Sequence, residues 1–171
     1  MPDLLNLEDD SSARRLAYVG AFLLIVIPFL QAGQQLWPLK LGDIRWRYGA
    51  ANALSSIMML PFLGLTIVTL VARSVDSKGV SRVVGAVAAL FVIGLLGSLV
   101  LFALDALQLK SIVTSQMMES FQTTSFRVVL VTLIFTGAFS ALMVTAFKYS
   151  RTAVKKGAKQ PDDAVGLIVG Q

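Results

Sequence analysis

The hydrophobic residues of this chain fall into four long runs that are separated by short polar stretches. One of these runs, residues 83–104, has 22 residues and no charge. As an α-helix it would be about 33 Å long, which matches the hydrocarbon thickness of a lipid bilayer. Runs of similar length lie at about residues 16–32, 49–71 and 128–147. The pattern predicts an all-α integral membrane bundle of four transmembrane helices, arranged as two antiparallel hairpins.

The polar segments divide the chain into three parts. Residues 1–13 form a polar, acidic leader, residues 14–148 hold the transmembrane domain, and residues 149–171 form a basic tail that we predict to be flexible. A cleavable signal peptide is an alternative for the first run, because two arginines precede it and small residues follow it. The acidic leader, and Gln31 close to the only reasonable cleavage site, favour a retained first span.

Composition supports the membrane class and removes several chemistries. The chain is 56% hydrophobic, has a mean hydropathy of +0.74, and contains no Cys and no His. Thiolate catalysis and imidazole ligation of a metal or haem are therefore impossible in this chain alone. Asp43, Asp105 and Glu119 have no base beside them that would suggest acid–base catalysis. We expect no enzyme activity and no cofactor.

The basic residues predict the orientation of the four spans. The net charge of +5 would raise nucleic acid as a partner of a soluble protein, but here the charges flank the apolar runs and nucleic acid is not expected. Ten lysines and arginines lie in the two termini and the segment at residues 72–82, whereas five lie in the other two connections. Cytoplasmic segments carry the excess of positive charge. We therefore expect both termini in the cytoplasm of a bacterial cell, with the protein in its inner membrane.

Aromatic and polar residues gather at the opposite, outer end of the predicted bundle. Trp37, Trp46 and Tyr48 bracket the first outer connection, as expected for side chains at a membrane–water interface. An outer polar cluster is predicted nearby. It consists of Gln31, Gln35, Arg45, Arg47, Asn52 and Asp105. Asp105 ends the third span, and a pair with Arg45 or Arg47 would offset the cost of a carboxylate near lipid.

Small residues predict where the helices pack closely. Gly94 and Ser98 form a small-xxx-small pair on the face of the third span that also carries Asp105. Gly137 and Ala141 form a similar pair on the fourth span. Such pairs allow two helix backbones to approach each other, so we predict helix–helix seams at both.

Two prolines and one serine predict local irregularities. Pro28 is expected to kink the first helix, and Pro61 together with Gly64 is expected to bend the second. Ser115 could cap a short helix through Met117, Met118 and Phe121 that lies on the membrane surface.

The stretch LWPLKLGDIRWRYGAANAL, residues 36–54, resembles the loop and second helix of small four-helix bacterial membrane proteins. The resemblance implies four spans and a bacterial source. It implies no activity and no functional residues.

These features favour a non-catalytic accessory or structural subunit of a larger membrane complex, such as an energy-transducing assembly. The expected partners are the lipid bilayer and other membrane subunits. The alternative is a small channel or transporter with the outer polar cluster as its mouth. A third interpretation, anchoring to a membrane surface through the basic tail, would make residues 148–171 the functional part.

Overall fold

A computed structural model describes the backbone of residues 11–157 and the side chains of residues 11–150. Of that part, 89% is helical and none is β-strand. Five α-helices follow one another: α1 (Ser11–Gln35), α2 (Ile44–Ile57), α3 (Met59–Ser74), α4 (Lys78–Lys110) and α5 (Met118–Gly157). Most of the predicted leader and the tail from residue 158 lie outside the described residues.

Four helical segments are long enough and apolar enough to cross a membrane. They are Ser11–Gln35, Ile44–Ser74, Lys78–Lys110 and Ser115–Ser150. The prediction of an all-helical chain with four such segments is confirmed. The helices are longer than the apolar runs that predicted them, because backbone hydrogen bonds continue a helix after its side chains become polar.

The second predicted span is two helices joined at Met58. Pro61 lies one turn after Ile57 and has no N–H to donate to the Ile57 carbonyl, and its ring also crowds that carbonyl. The helix therefore ends at Ile57, and α3 begins again at Met59. In contrast, α1 continues through Pro28 from Ser11 to Gln35 without a break.

The expectation of a separate surface helix after Ser115 is wrong. Ser115–Met117 is a single 3₁₀ turn, and α5 begins directly at Met118. The side chain at the N-cap of the turn, Thr114, makes no capping hydrogen bond. The polar stretch at residues 118–127 instead continues into the fourth apolar run as one long helix, since it contains no Gly or Pro to stop it.

A Schellman-type ending stops α3. Asp76 has a positive φ of 50°, the Ser77 N–H donates to the Ala72 carbonyl at 2.8 Å, and the Asp76 N–H donates to that of Arg73 at 3.3 Å. The Asp76 carboxylate also accepts a hydrogen bond of 2.6 Å from the Tyr149 hydroxyl. The turn that separates α3 from α4 is thereby joined to α5.

The core lies where α3, α4 and α5 meet. Its buried apolar residues are Met58, Leu65, Val84, Ala88, Leu95 and Phe139. Phe139 has no exposed surface; it stacks on Phe91 of α4 at 4.7 Å and meets the ring of Phe62 edge-on at 5.5 Å. Aromatic pairs with these geometries contribute about 0.5–1.5 kcal/mol each beyond the area that they bury. The three helices are therefore held together at mid-length by aromatic packing.

Two glycines lie where a neighbouring helix leaves little room for a side chain. A Cβ added to Gly64 of α3 would lie 2.7 Å from the Ala21 carbonyl oxygen of α1, and one added to Gly85 of α4 would lie 3.1 Å from the Phe147 ring of α5. Gly94 and Gly137 differ, because nothing lies within 4 Å of a Cβ added there. The predicted seams at these two positions are not packed by other parts of the described chain.

Polar contacts join α4 to α5 at the end of the molecule that contains Asp76, called the Asp76 end below. The Ser81 hydroxyl donates to the Ala146 carbonyl at 3.0 Å, and the Arg82 side chain donates to the Ser150 hydroxyl at 2.8 Å. Ser81 and Ser150 are buried. The opposite end of the molecule, called the Asp105 end, carries the candidate site.

Candidate functional site

The site is built around the first turn of α2. Asp43 precedes the helix, and its carboxylate accepts a hydrogen bond of 2.9 Å from the Arg45 N–H, which would otherwise lack a partner. This cap fixes the start of α2. Arg45, Arg47 and Tyr48 follow in the first turns of α2.

Arg47 and Asp105 form a bidentate ion pair between α2 and α4. The two Arg47–Asp105 hydrogen bonds are 2.6 and 2.9 Å long, and a third guanidinium N–H donates to the Leu41 carbonyl at 2.8 Å. Asp105 is only 5% exposed. Paired N–H donors match the two oxygens of a carboxylate in strength and geometry. Of the two arginines considered from the sequence, Arg47 is the one that Asp105 binds.

Tyr48 extends this contact to α5. Its hydroxyl donates to or accepts from Ser125 at 2.9 Å and lies 3.2 Å from the Phe121 carbonyl. Its ring stacks between Phe102 of α4 and Phe121 of α5, at centroid distances of 5.1 and 5.3 Å. Leu41, Arg47, Tyr48, Asp105 and Ser125 are called the Arg47–Asp105 cluster below. The cluster fastens three helices and the preceding loop to one another.

The two tryptophans have different surroundings. The Trp46 indole N–H donates to the Leu36 carbonyl at 3.2 Å and so holds the loop between α1 and α2. Trp37 lies in that loop and is 74% exposed. Its ring is thus available to an interface outside the chain.

The other predicted members of the outer polar cluster do not join the ion pair. Gln31 and Gln35 lie on the exposed side of the last turns of α1. Asn52 is half-buried, and its backbone carbonyl accepts hydrogen bonds from the hydroxyls of Ser55 and Ser56. The structure thus brings Arg47 and Asp105 together and leaves the glutamines facing outward.

Arg45 lines a groove next to the cluster. The groove has a volume of about 510 Å³ and lies between the start of α2, the end of α4, the 3₁₀ turn and the start of α5. Its walls include Tyr48, Ile112, Met117, Ser120 and Thr124. We call it the Arg45 groove.

Three of the four predicted packing residues are exposed. Gly94 and Ser98 line a shallow, largely apolar groove of about 390 Å³ together with Phe29, Met58 and Phe91. The Ser98 hydroxyl bonds to its own helix, at 2.9 Å from the Leu95 carbonyl. Gly137 and Ala141 are exposed on α5. Ser98, in contrast, is half-buried and also borders a small cavity with Ala51 of α2 and Thr132 of α5.

Sequence reasoning missed the connecting role of Tyr48 and Ser125. Tyr48 was predicted to face the membrane interface, and Ser125 was not selected, because the contact joins residues 77 positions apart. In the part of the chain that the structure describes, no group of three or more carboxylates could hold a metal ion. The chemistry present is hydrogen bonding and ion pairing by one arginine–aspartate pair, with a second arginine in a groove.

No protein-family model, no curated protein sequence and no solved structure matches this chain.

Proposed function

We propose that this chain is a four-span protein of a bacterial inner membrane, arranged as two antiparallel hairpins with both termini in the cytoplasm. Four helices of suitable length and hydropathy support the insertion. The surplus of basic residues in the termini and around the Asp76 end supports the orientation. In this orientation the Asp105 end, with Trp46 and Tyr48, lies at the outer surface.

Within that membrane we propose a non-catalytic accessory subunit of a larger complex. One observation carries the proposal: Gly94, Gly137 and Ala141 are exposed, and the two glycines have open space beside them. In lipid, helices associate where small residues let backbones approach, because lipid tails are as apolar as leucine. Surfaces of this kind on α4 and α5 suit the helices of partner subunits.

The geometry of the outer polar cluster favours this function over transport. A mouth for solutes needs polar groups that are free to bind them, but the Asp105 carboxylate already accepts two hydrogen bonds from Arg47. The pair fastens α2 to α4 at the place where a channel would have to open. A structural role for these residues is consistent with an accessory subunit.

The proposal is tested first by purifying the full-length protein from its native membrane in a mild detergent. We expect a heteromeric particle much heavier than this 18.4-kDa chain, and its mass spectrum would identify the partners. A pigmented particle would indicate an energy-transducing complex. A monomer or a small homo-oligomer would contradict the accessory function, and flux assays in liposomes would then follow.

A matched pair of variants tests the surface that carries the proposal. Gly137→Leu fills the open space on α5 and should release the chain from the complex, because the partner backbone can no longer approach. The purified chain itself should stay folded. Leu130→Phe enlarges an exposed residue two helical turns from Gly137 and leaves the space beside Gly137 open. This control variant should assemble normally. Equal assembly of both variants would show that the α5 surface binds no partner.

A further inference from the structure

The Arg45 groove at the Asp105 end contains a cation that the protein itself does not use. The Arg45 guanidinium makes no hydrogen bond and no ion pair with any residue that the structure describes, whereas Arg47 beside it makes three hydrogen bonds. No acidic residue lines the groove. The groove is therefore lined by one cation and no anion, which favours the binding of an anionic group.

Hydroxyl groups on α5 add hydrogen-bond donors to the same groove. Ser120 and Thr124 are four residues apart, so their side chains lie on one face of the helix. Hydroxyls farther along α5, such as those of Thr136 and Thr145, bond back to carbonyls of their own helix. The hydroxyls of Ser120 and Thr124 make no hydrogen bond within the described chain. They are free to donate to an anionic oxygen.

The remaining wall of the groove is mostly apolar, with Thr114 and Gln116 as its other polar residues. Ile112 is 60% exposed and Met117 is 67% exposed, although both are large hydrophobic residues. Leu109 and Phe121 complete this wall. A volume of about 510 Å³ is within the usual range of small-molecule sites. A cation and hydroxyls on one side of an apolar wall are complementary to an amphiphile with an anionic head.

We propose that the Arg45 groove binds one anionic phospholipid of the outer leaflet. Its phosphate meets Arg45 with the Ser120 and Thr124 hydroxyls, and the apolar carbons nearest the headgroup lie along Leu109, Ile112 and Met117. Tyr48 lines the groove, and Trp46 follows Arg45 in the sequence of α2. Tyrosine and tryptophan rings lie at headgroup depth in a membrane, where a lipid phosphate is found. The proposal rests on the membrane insertion proposed above and is independent of any partner subunit.

The test places the purified full-length protein in nanodiscs of phosphatidylcholine that contain a minor fraction of phosphatidylglycerol. Native mass spectrometry then counts the lipids that stay bound to each released protein. We expect one retained phosphatidylglycerol for the natural chain. Arg45→Gln should weaken this retention about tenfold, because a charge-assisted phosphate contact is lost. Arg45→Lys should keep most of it, since the charge remains.

Control variants separate the site from general surface charge and from folding. Arg127→Gln removes another exposed cation near the same end that does not line the groove, and retention should be unchanged. Met117→Gln should weaken the binding of phosphatidylglycerol but not that of soluble glycerol phosphate. Circular dichroism should be the same for all variants, because Arg45 and Met117 are exposed.

Three outcomes would overturn the inference. They are equal retention by the natural chain and Arg45→Gln, equal retention of phosphatidylcholine and phosphatidylglycerol, and displacement of the lipid by glycerol phosphate as readily as by added phosphatidylglycerol. The last would assign the groove to a soluble anion. In each case a stably inserted protein would leave the proposed membrane location intact, and failure of all variants to enter nanodiscs would contradict the location itself.

Discussion

Asp105 combines burial with a negative charge, and one guanidinium satisfies it. A carboxylate that is 5% exposed is costly unless its oxygens are hydrogen-bonded, and Arg47 provides two donors at 2.6 and 2.9 Å. The third donor, to the Leu41 carbonyl, holds the guanidinium in place. Removing either side chain would therefore leave the other charge without its counter-charge at a site with little access to water.

Non-additive stability is the expected consequence of this pairing. Asp105→Asn and Arg47→Gln should each lower the midpoint of unfolding, because each leaves the partner charge without its counter-charge. The double variant should lose less stability than the sum of the two single losses. Unfolding by sodium dodecyl sulfate in mixed micelles, followed by tryptophan fluorescence, measures all four proteins.

The same variants separate a structural role from transport. If the pair is structural, liposomes that contain Asp105→Asn should show the same background flux of small ions as liposomes with the natural chain. A solute flux that exists in the natural chain and disappears in Asp105→Asn would contradict the accessory function and support a transporter.

At the scale of the helices, two kinds of glycine serve different purposes. Gly64 is in contact with α1, since an added Cβ would lie 2.7 Å from the Ala21 carbonyl oxygen and 2.8 Å from the Ile25 side chain. Gly94 and Gly137 have open space instead. Gly64 allows the contact between α1 and α3, whereas Gly94 and Gly137 leave open space on the surface of the chain.

Alanine substitutions should distinguish these two kinds of glycine. Gly64→Ala should destabilise the protein by about 1–3 kcal/mol, because α1 must move away from α3 to admit the methyl group. Gly94→Ala should leave stability unchanged or raise it by about 0.5–1 kcal/mol, since alanine is the better helix former. Unfolding in mixed micelles measures both, and equal stabilities for the two variants would show that the α1–α3 contact at Gly64 is not tight.

The sequence predicted the number of membrane-length helical segments better than their limits. Four uncharged apolar runs of membrane length predicted four long helices, because few other structures accommodate such runs. The ends were less certain, because Lys78 and the stretch after Met118 are polar and nevertheless helical. Polarity marks the end of an apolar surface, whereas a helix ends where its hydrogen bonding stops, as it does at Asp76.

The candidate site was predictable only in part, and for a comparable reason. Helical periodicity places Asp105 on the face of the helix that carries Gly94. Because a buried carboxylate is costly without a counter-charge, an arginine partner is also predicted for Asp105. Periodicity does not say which helices are neighbours. The contact of Tyr48 with Ser125 and the outward direction of Gly94 both depend on that information, so neither could be read from one chain.

For the molecule as a whole, the unequal charge of the two ends gives a direct test of orientation. The chain contains no Cys, so a single introduced cysteine can be labelled without background. Gly42→Cys lies in the loop before α2 and Gly79→Cys lies in the first turn of α4, and neither added side chain meets a neighbour. In intact cells stripped of their outer membrane, an impermeant maleimide should label Gly42→Cys and not Gly79→Cys.

Opening the cells provides the control for this measurement, because both cysteines should then react. Labelling of Gly79→Cys alone in intact cells would reverse the proposed orientation. Labelling of both would contradict the proposal that the two ends lie on opposite sides of a membrane.

The contact of α1 with α3 has a consequence for synthesis of the chain. The surface around Ala21 meets Gly64, which leaves the ribosome only after the whole of α2. During that interval α1 lacks α3, which is its main partner within the chain, and if the chain is inserted as proposed, lipid covers that surface. A helix can persist in that state because its backbone hydrogen bonds are internal and its outward side chains, such as Leu16, Phe22 and Leu30, are apolar. The proposed insertion therefore requires α1 to be stable in lipid before its contact with α3 forms.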